Sequence, residues 1–282
     1  MSSLKHGLRK LGEPLLPYFP ARILTRLIKQ RPYLAMSLPN GFQLKWPYYL
    51  EDVTVFIDPG NDIENQMIWG DYQSDVSRVI RYFVKPGDFC VDVGANTGPV
   101  TLLLAKLTGP TGKVLSIEPG PPYYKRLLTN LDLNPSFKKI VTPLNKGVSD
   151  SNGMLLWAAD PEHTWNGGLL NVTEGTSVEV TTLDTCVQQN GWSKLDFMKI
   201  DVEGMELEVL KGCQATLEKF RPIVLFETME IFRGSRGFDI FLEMENLLKG
   251  LNYRLYDLTE ARELVEVHSD SLPDNTIALP AK

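Results

Sequence analysis

From residue 89 onward, short apolar runs alternate with segments of helical period. Residues 89–93, 113–117, 140–144, 197–201 and 223–227 are nearly continuous in apolar side chains, as in strands covered on both faces. Between them, 100–107, 123–133, 205–220 and 240–248 carry apolar positions at helical spacing. Residues 154–159 and 178–183 predict two added strands, and 253–258 with 276–279 predict a terminal antiparallel pair. Strands alternating with helices predict an α/β fold, a doubly wound, mostly parallel sheet with helices on both faces. Upstream, Phe42, Leu44 and Trp46, then Val53, Val55 and Ile57, alternate with polar positions and predict a short hairpin. Residues 75–83 predict a helix with Val76, Val79, Ile80 and Phe83 inward, ended by the turn Lys85-Pro86-Gly87-Asp88.

The first 31 residues differ from this pattern. Ile23 and Leu27, with Leu24 and Ile28, share one face of a short helix, and Arg22, Arg26 and Lys29 lie mostly on the other. Pro14, Pro17, Pro20 and Pro32 keep the helical pieces short. Seven basic residues and one acid, Glu13, give this segment a charge of +6, against −6 for the whole 282-residue chain. Such a helix docks on its own domain or makes peripheral contact with an anionic membrane surface through residues 1–31. The organisation expected is a basic helical segment and short strands over 1–64, packing on a core domain over 65–282.

Composition narrows the function classes. With 43% apolar and 23% charged residues the chain reads as globular, not disordered. Cys90, Cys186 and Cys213 are widely spaced and form neither a zinc motif nor a disulfide framework, so reduced thiols and a cytoplasmic location are expected. No apolar run approaches the ~20 residues needed to span a bilayer. Arg22, Arg26 and Lys29 interrupt the early apolar stretch, so a secretory signal is not expected. The acidic body argues against a broad nucleic-acid surface, and no nucleic-acid partner is expected.

Two features carry the chemistry of a nucleoside site. The turn Asp92-Val93-Gly94-Ala95-Asn96-Thr97-Gly98 follows an apolar strand and opens a helix, where glycines permit close backbone approach to a ligand. Glu118 ends the next strand, where an acid accepts ribose hydroxyls. NAD and S-adenosylmethionine both suit such a crevice. The missing GxGxxG argues against NAD, and the missing GxxxxGK[ST] excludes a P-loop.

These segments, DVGANTG (92–98), IEP (117–119) and LDFMKIDVEGMELEVLKG (195–212), resemble the FkbM family of S-adenosylmethionine-dependent methyltransferases. The lead-in Gly70-Asp71-Tyr72-Gln73, the segment 84–88 and Thr182-Leu183-Asp184 fit the same pattern, which covers about residues 65–280. The resemblance implies a class I methyltransferase domain, a Rossmann-like sheet of about seven strands with the last antiparallel. It implies S-adenosylmethionine as methyl donor and O-methylation of a hydroxyl on a sugar, polyketide or related metabolite. By motif, Asp92, Gly94, Ala95, Asn96 and Gly98 flank the methionine part, with Tyr72 and Gln73 beside it. Glu118 takes the ribose, and Asn145, Lys146 and Gly147 border the adenine. Gln73 departs from the family's G-x-Y-E lead-in.

Lys199, Asp201 and Glu203 alternate with Ile200 and Val202, and an extended backbone places all three on one face toward the crevice. The bland alternative is a structural Lys199–Asp201 pair with Glu203 capping the next helix, and Glu206 and Glu208 decorating its first turn. Two chemical routes fit. In one, Asp201, Glu203 or His163 removes the acceptor's proton. In the other, Asp201 with Glu203 or Glu227 holds Mg²⁺, which acidifies the hydroxyl. His163 lies in a polar loop with Trp165, a candidate wall for a sugar. Two other readings compete. An RNA 2′-O-methyltransferase would carry a lysine near 226–230, which is acidic here. A non-catalytic adenosyl-binding or membrane-adaptor module would bind ligand without turnover.

Overall fold

The computed structural model describes residues 42–45, 53–57, 74–159, 167–169 and 172–281. The basic helix at 21–30 and the residues Tyr72, Gln73, His163 and Trp165 lie outside them. The hairpin pairs as its alternation predicts: β1 (Phe42–Lys45) runs antiparallel to β2 (Thr54–Ile57), with Phe42 opposite Ile57. Val53, Val55 and Ile57 are buried in the main core. Asn130 and Asn134 hold β2 in place by accepting from the Phe56 and Thr54 N–H groups at 2.8 and 3.0 Å.

The central sheet forms from strands β3 (Phe89–Val93), β4 (Lys113–Ile117), β5 (Val141–Leu144), β10 (Phe197–Ile200), β11 (Ile223–Glu227), β12 (Tyr253–Leu258), β13 (Leu264–Glu266) and β14 (Asn275–Pro280). Their spatial order is β13-β12-β14-β11-β10-β3-β4-β5. β3, β4, β5, β10 and β11 are mutually parallel, and β14 runs antiparallel between β11 and β12. Strand β13, a short edge that the sequence pattern does not signal, pairs antiparallel with β12. The chain leaves β3 toward β4 and β5 and returns through β10 on the other side. The crevice between β3 and β10 is therefore the topological switch point, where ligands bind in open α/β sheets.

Helices cover both faces. On one side lie α1 (Ser74–Phe83), α2 (Pro99–Thr108) and α3 (Pro121–Asp132). On the other lie α4 (Leu183–Gln189), α5 (Glu206–Lys211), α6 (Gln214–Phe220) and α7 (Ile240–Gly250). Side-chain alternation assigns Cys90, Val114, Phe197 and Leu225 to the first face, and Val91, Val93, Leu115, Met198, Ile200 and Phe226 to the second. A second sheet, in order β6-β9-β7-β8, is inserted between β5 and α4. It comprises β6 (Gly147–Val148), β7 (Gly153–Ala159), β8 (Gly167–Gly168) and β9 (Thr176–Thr181).

Two element boundaries differ from the pattern. The added strand stops at Thr181, because Thr182 caps α4 by accepting from the Thr185 N–H at 3.1 Å. The long helix expected over 205–220 is two helices broken at Gly212-Cys213. Gly212 passes so close to the Ser149 backbone that a Cβ would overlap its carbonyl. Asp184 then caps α6, accepting from the Thr216 and Ala215 N–H groups at 2.7 and 3.2 Å.

Candidate active site

The first sheet face changes character toward the carboxyl ends of its strands. Cys90 is followed at period two by Asp92, Val114 by Ser116, Phe197 by Lys199 and Leu225 by Glu227. The apolar layer thus gives way to a polar one beside α2. Thr101, from α2, donates to Asp92 Oδ2 at 2.6 Å and lies 2.7 Å from Ser116 Oγ. Asp92 is fully buried, and its Oδ1 has no hydrogen-bond partner. Burial raises the Asp92 pKa, with Lys199 opposing.

Lys199 stands opposite Asp92 in the β3–β10 register and its ammonium binds Asp201 Oδ2 at 2.8 Å. Burial disfavours the ammonium, but Asp201 and Asp92 outweigh it and hold Lys199 charged. Glu227 closes the group from β11. Burial, with the charges of Asp201, Glu203 and Glu206, pushes its pKa up to about 10. Glu227 therefore keeps its proton at neutral pH, which lowers the negative charge around the Lys199–Asp201 pair.

The extended-strand reading of Glu203 is corrected. β10 ends at Ile200, Glu203 has φ 56° and Gly204 φ 91°, so the chain turns back and Glu203 does not share the strand face. It reaches the acidic group from the turn, since its charge acts on Glu227. The N-cap position of the next helix is Met205, which makes no side-chain cap bond. Glu206 is buried and accepts from the Val202 and Gly204 N–H groups at 2.9 and 3.3 Å. Burial pushes Glu206 up to about 7. Nor is Glu208 a surface decoration, because it pairs with Arg236, whose Nη2 also donates to the Gly204 carbonyl at 2.6 Å. Pattern alone hid Glu206, since an acid in a first helical turn ordinarily points to solvent.

The glycine turn lies against this group. Gly94, at φ 80°, sits where a Cβ would overlap the Asp201 carbonyl oxygen. The Gly94 and Ala95 N–H groups donate to the Ile117 carbonyl at 2.9 and 3.0 Å, fixing the turn over β4. Asn96, at φ 50°, donates its N–H to Glu118 Oε2 at 2.8 Å. Gly98, at φ 95°, precedes Pro99 at the start of α2, where a Cβ would crowd Leu127.

Glu118 is buried and also accepts from the Gly120 N–H, through Oε1, at 2.7 Å. Burial pushes its pKa up to about 7 against these two bonds. A carboxylate offers about four lone-pair sites, so two remain for ribose hydroxyls. Asn145 donates to the Glu118 and Pro119 carbonyls at 2.8 and 3.1 Å, beside the expected adenine site. Lys146 turns to Glu179, and Gly147 packs on Leu169 and Val180.

The donor set fits an S-adenosyl ligand better than a metal ion. The glycine turn, the spare acceptor sites of Glu118 and the unmet Asp92 Oδ1 suit the former. Among the described residues, no three His, Cys, Asp or Glu side chains are placed to hold a metal. Asp201 is tied to Lys199, and burial holds the Glu227 carboxyl well above the usual carboxylate range. No helix among the described residues is long and apolar enough to cross a membrane.

Residues 92–255 match the family model described as the methyltransferase FkbM domain. The hexuronic acid methyltransferase AglP of Haloferax volcanii is 32% identical over 163 residues, covering 57% of this chain and 63% of that protein. The chain thus spans less than two thirds of that relative's length. The 31-O-demethyl-FK506 methyltransferase FkbM of Streptomyces tacrolimicus is 26% identical over 210 residues, covering 59% of this chain and 78% of that one. Among solved structures, the methyltransferase FkbM from Methylobacillus flagellatus KT aligns at a TM-score of 0.46 and 16% identity, over 77% of this chain and 52% of that one.

Proposed function

The chain belongs to the FkbM methyltransferase family, and from that premise we propose that it transfers a methyl group from S-adenosylmethionine to a hydroxyl of a sugar, polyketide or related small metabolite. One relative is named for a hexuronic acid and another for 31-O-demethyl-FK506. The acceptor class follows the family's chemistry. The observation that carries the reading is the meeting of three parts at the switch point: the 92–98 turn, Glu118, and the Lys199–Asp201 pair. The first two suit the adenosyl and methionine ends of the donor, and the third suits the acceptor.

Bound S-adenosylmethionine supplies an electrophilic methyl group. The chain's own task is to align a hydroxyl and take its proton. Asp201 is assigned as the base. Lys199 pairs with it at 2.8 Å and fixes its place, while Glu227, raised by burial, limits competing charge. Glu203 and His163 remain second candidates for that proton. Lys199 acts through Asp201 and is a positioning residue.

Methyl transfer from labelled donor to a panel of sugar and polyketide hydroxyls tests the reading. Asp201→Asn is expected to bind S-adenosylhomocysteine like the wild type and to lose turnover by about 10²–10⁴-fold. Wild-type turnover in that variant would remove Asp201 from the chemistry.

A further inference from the structure

Large apolar side chains gather on one short stretch of surface after β11. Met229, Ile231, Phe238 and Leu242 are all exposed, Ile231 at 71%. Apolar residues scattered singly over a surface are ordinary, but a group within one segment marks a contact site. Two ties set this segment beside the crevice. It begins at Thr228, directly after Glu227 ends β11. Further along, Arg236 reaches back to the turn that follows Asp201, donating to the Gly204 carbonyl at 2.6 Å and pairing with Glu208. The segment also closes on itself. Arg233 pairs with Asp239 at 3.0 Å, and the Ile240 N–H donates to the Arg233 carbonyl at 3.1 Å. An apolar rim, braced from within, thus borders the crevice on its β11 side.

The charges beside this rim decide what kind of molecule fits it. Asp201, Glu203 and Glu227 lie close enough to act on one another. Each cation that the described residues place there is already held in an ion pair: Lys199 by Asp201, Arg233 by Glu230 and Asp239, and Arg236 by Glu208. Among the described residues, none is left over at the rim for a carboxylate on an acceptor. Such a carboxylate would add like charge to a group of acids. An uncharged molecule meets no such opposition, and its apolar part gains from covering the rim.

We propose that the acceptor is an uncharged alcohol with an apolar body, its hydroxyl directed to Asp201 and its body laid against Ile231 and Phe238. This rests on the reading that the crevice transfers a methyl group to a hydroxyl, and it narrows that reading. A neutral amphiphilic alcohol fits the mouth of the crevice, and a uronic acid does not.

Four glycosides separate the two features: octyl and methyl β-glucoside, and octyl and methyl β-glucuronide. Each is titrated calorimetrically, below the concentration of micelle formation, into protein saturated with S-adenosylhomocysteine. Octyl glucoside is expected to bind about tenfold or more tighter than methyl glucoside, through its buried methylenes. It is also expected to bind about tenfold or more tighter than octyl glucuronide, through the missing like charge. Ile231→Ser with Phe238→Ser, both at exposed positions, is expected to lose about tenfold for octyl glucoside while keeping the wild-type affinity for S-adenosylhomocysteine and the wild-type unfolding midpoint. Equal or tighter binding of octyl glucuronide overturns the proposal, as does the absence of an octyl preference, or an octyl preference that survives in the double variant. Binding of the wild type to phosphatidylcholine vesicles, lost in the double variant and without any octyl preference, makes the rim a membrane-facing surface and overturns it too. A wild type that does not bind S-adenosylhomocysteine overturns instead the underlying reading of the crevice.

Discussion

Lys199 and Asp92 face each other in register across β10 and β3, both buried, yet the 2.8 Å ion pair of Lys199 runs to Asp201, the residue directly after the strand. One cation thus serves two carboxylates at the switch point. It stabilises the fully buried Asp92 from across the sheet and holds Asp201 at the crevice. Lys199→Met is expected to cost about 3–5 kcal/mol at neutral pH, because the buried carboxylates lose the cation that faces them. The loss should shrink at pH 5, where Asp92, already raised by burial, can take up a proton. Denaturant unfolding at both pH values checks this, and an equal loss at each would contradict it.

Gly94 makes the cofactor turn possible by close approach. Its φ of 80° and the Asp201 carbonyl against it leave no room for a side chain. Gly94→Ala is expected to lower affinity for S-adenosylhomocysteine by about tenfold or more. Circular dichroism and titration on the same sample separate this from unfolding. Near-normal binding would show that the turn does not contact the ligand.

Glu118 makes binding sensitive to pH. Its pKa of about 7 in the free protein means that acidification protonates it, and ribose hydroxyls donate best to the ionised form. Affinity for S-adenosylhomocysteine should therefore be constant above pH 8 and fall by up to about tenfold per unit below pH 7. Glu118→Gln should bind weakly with a flat profile. A wild-type profile that is flat from pH 6 to 8 would remove Glu118 from ribose recognition.

The same acids act on stability with the opposite sign. Glu118 and Glu206 are raised from 4.5 to about 7 in the folded state, chiefly by burial. Their contribution is fully present below pH 4.5 and is lost as pH rises through about 7. Glu206→Gln keeps an acceptor for the Val202 N–H and cannot ionise. Its unfolding free energy should fall less than the wild type's between pH 5 and pH 8. Identical pH dependence in the two proteins would refute the assignment.

The strands of the central sheet are legible in the sequence because burial on both faces leaves unbroken apolar runs. The glycine turn and Glu118 are legible because each sits at a strand end with an ordinary local signature. What escapes is set by distant chain. The break at Gly212 depends on the Ser149 backbone, 63 positions upstream, and on Asp184, which caps a helix other than its own. Glu206 looks like a first-turn surface acid until the turn at Glu203 and Gly204 folds over it.

The central claim is that the crevice between β3 and β10 binds an S-adenosyl ligand. Calorimetric titration of the purified protein with S-adenosylhomocysteine tests it most directly. The account predicts one site per chain with micromolar affinity, unchanged by added Mg²⁺ and weakened in Glu118→Gln. No heat of binding at millimolar ligand would contradict it.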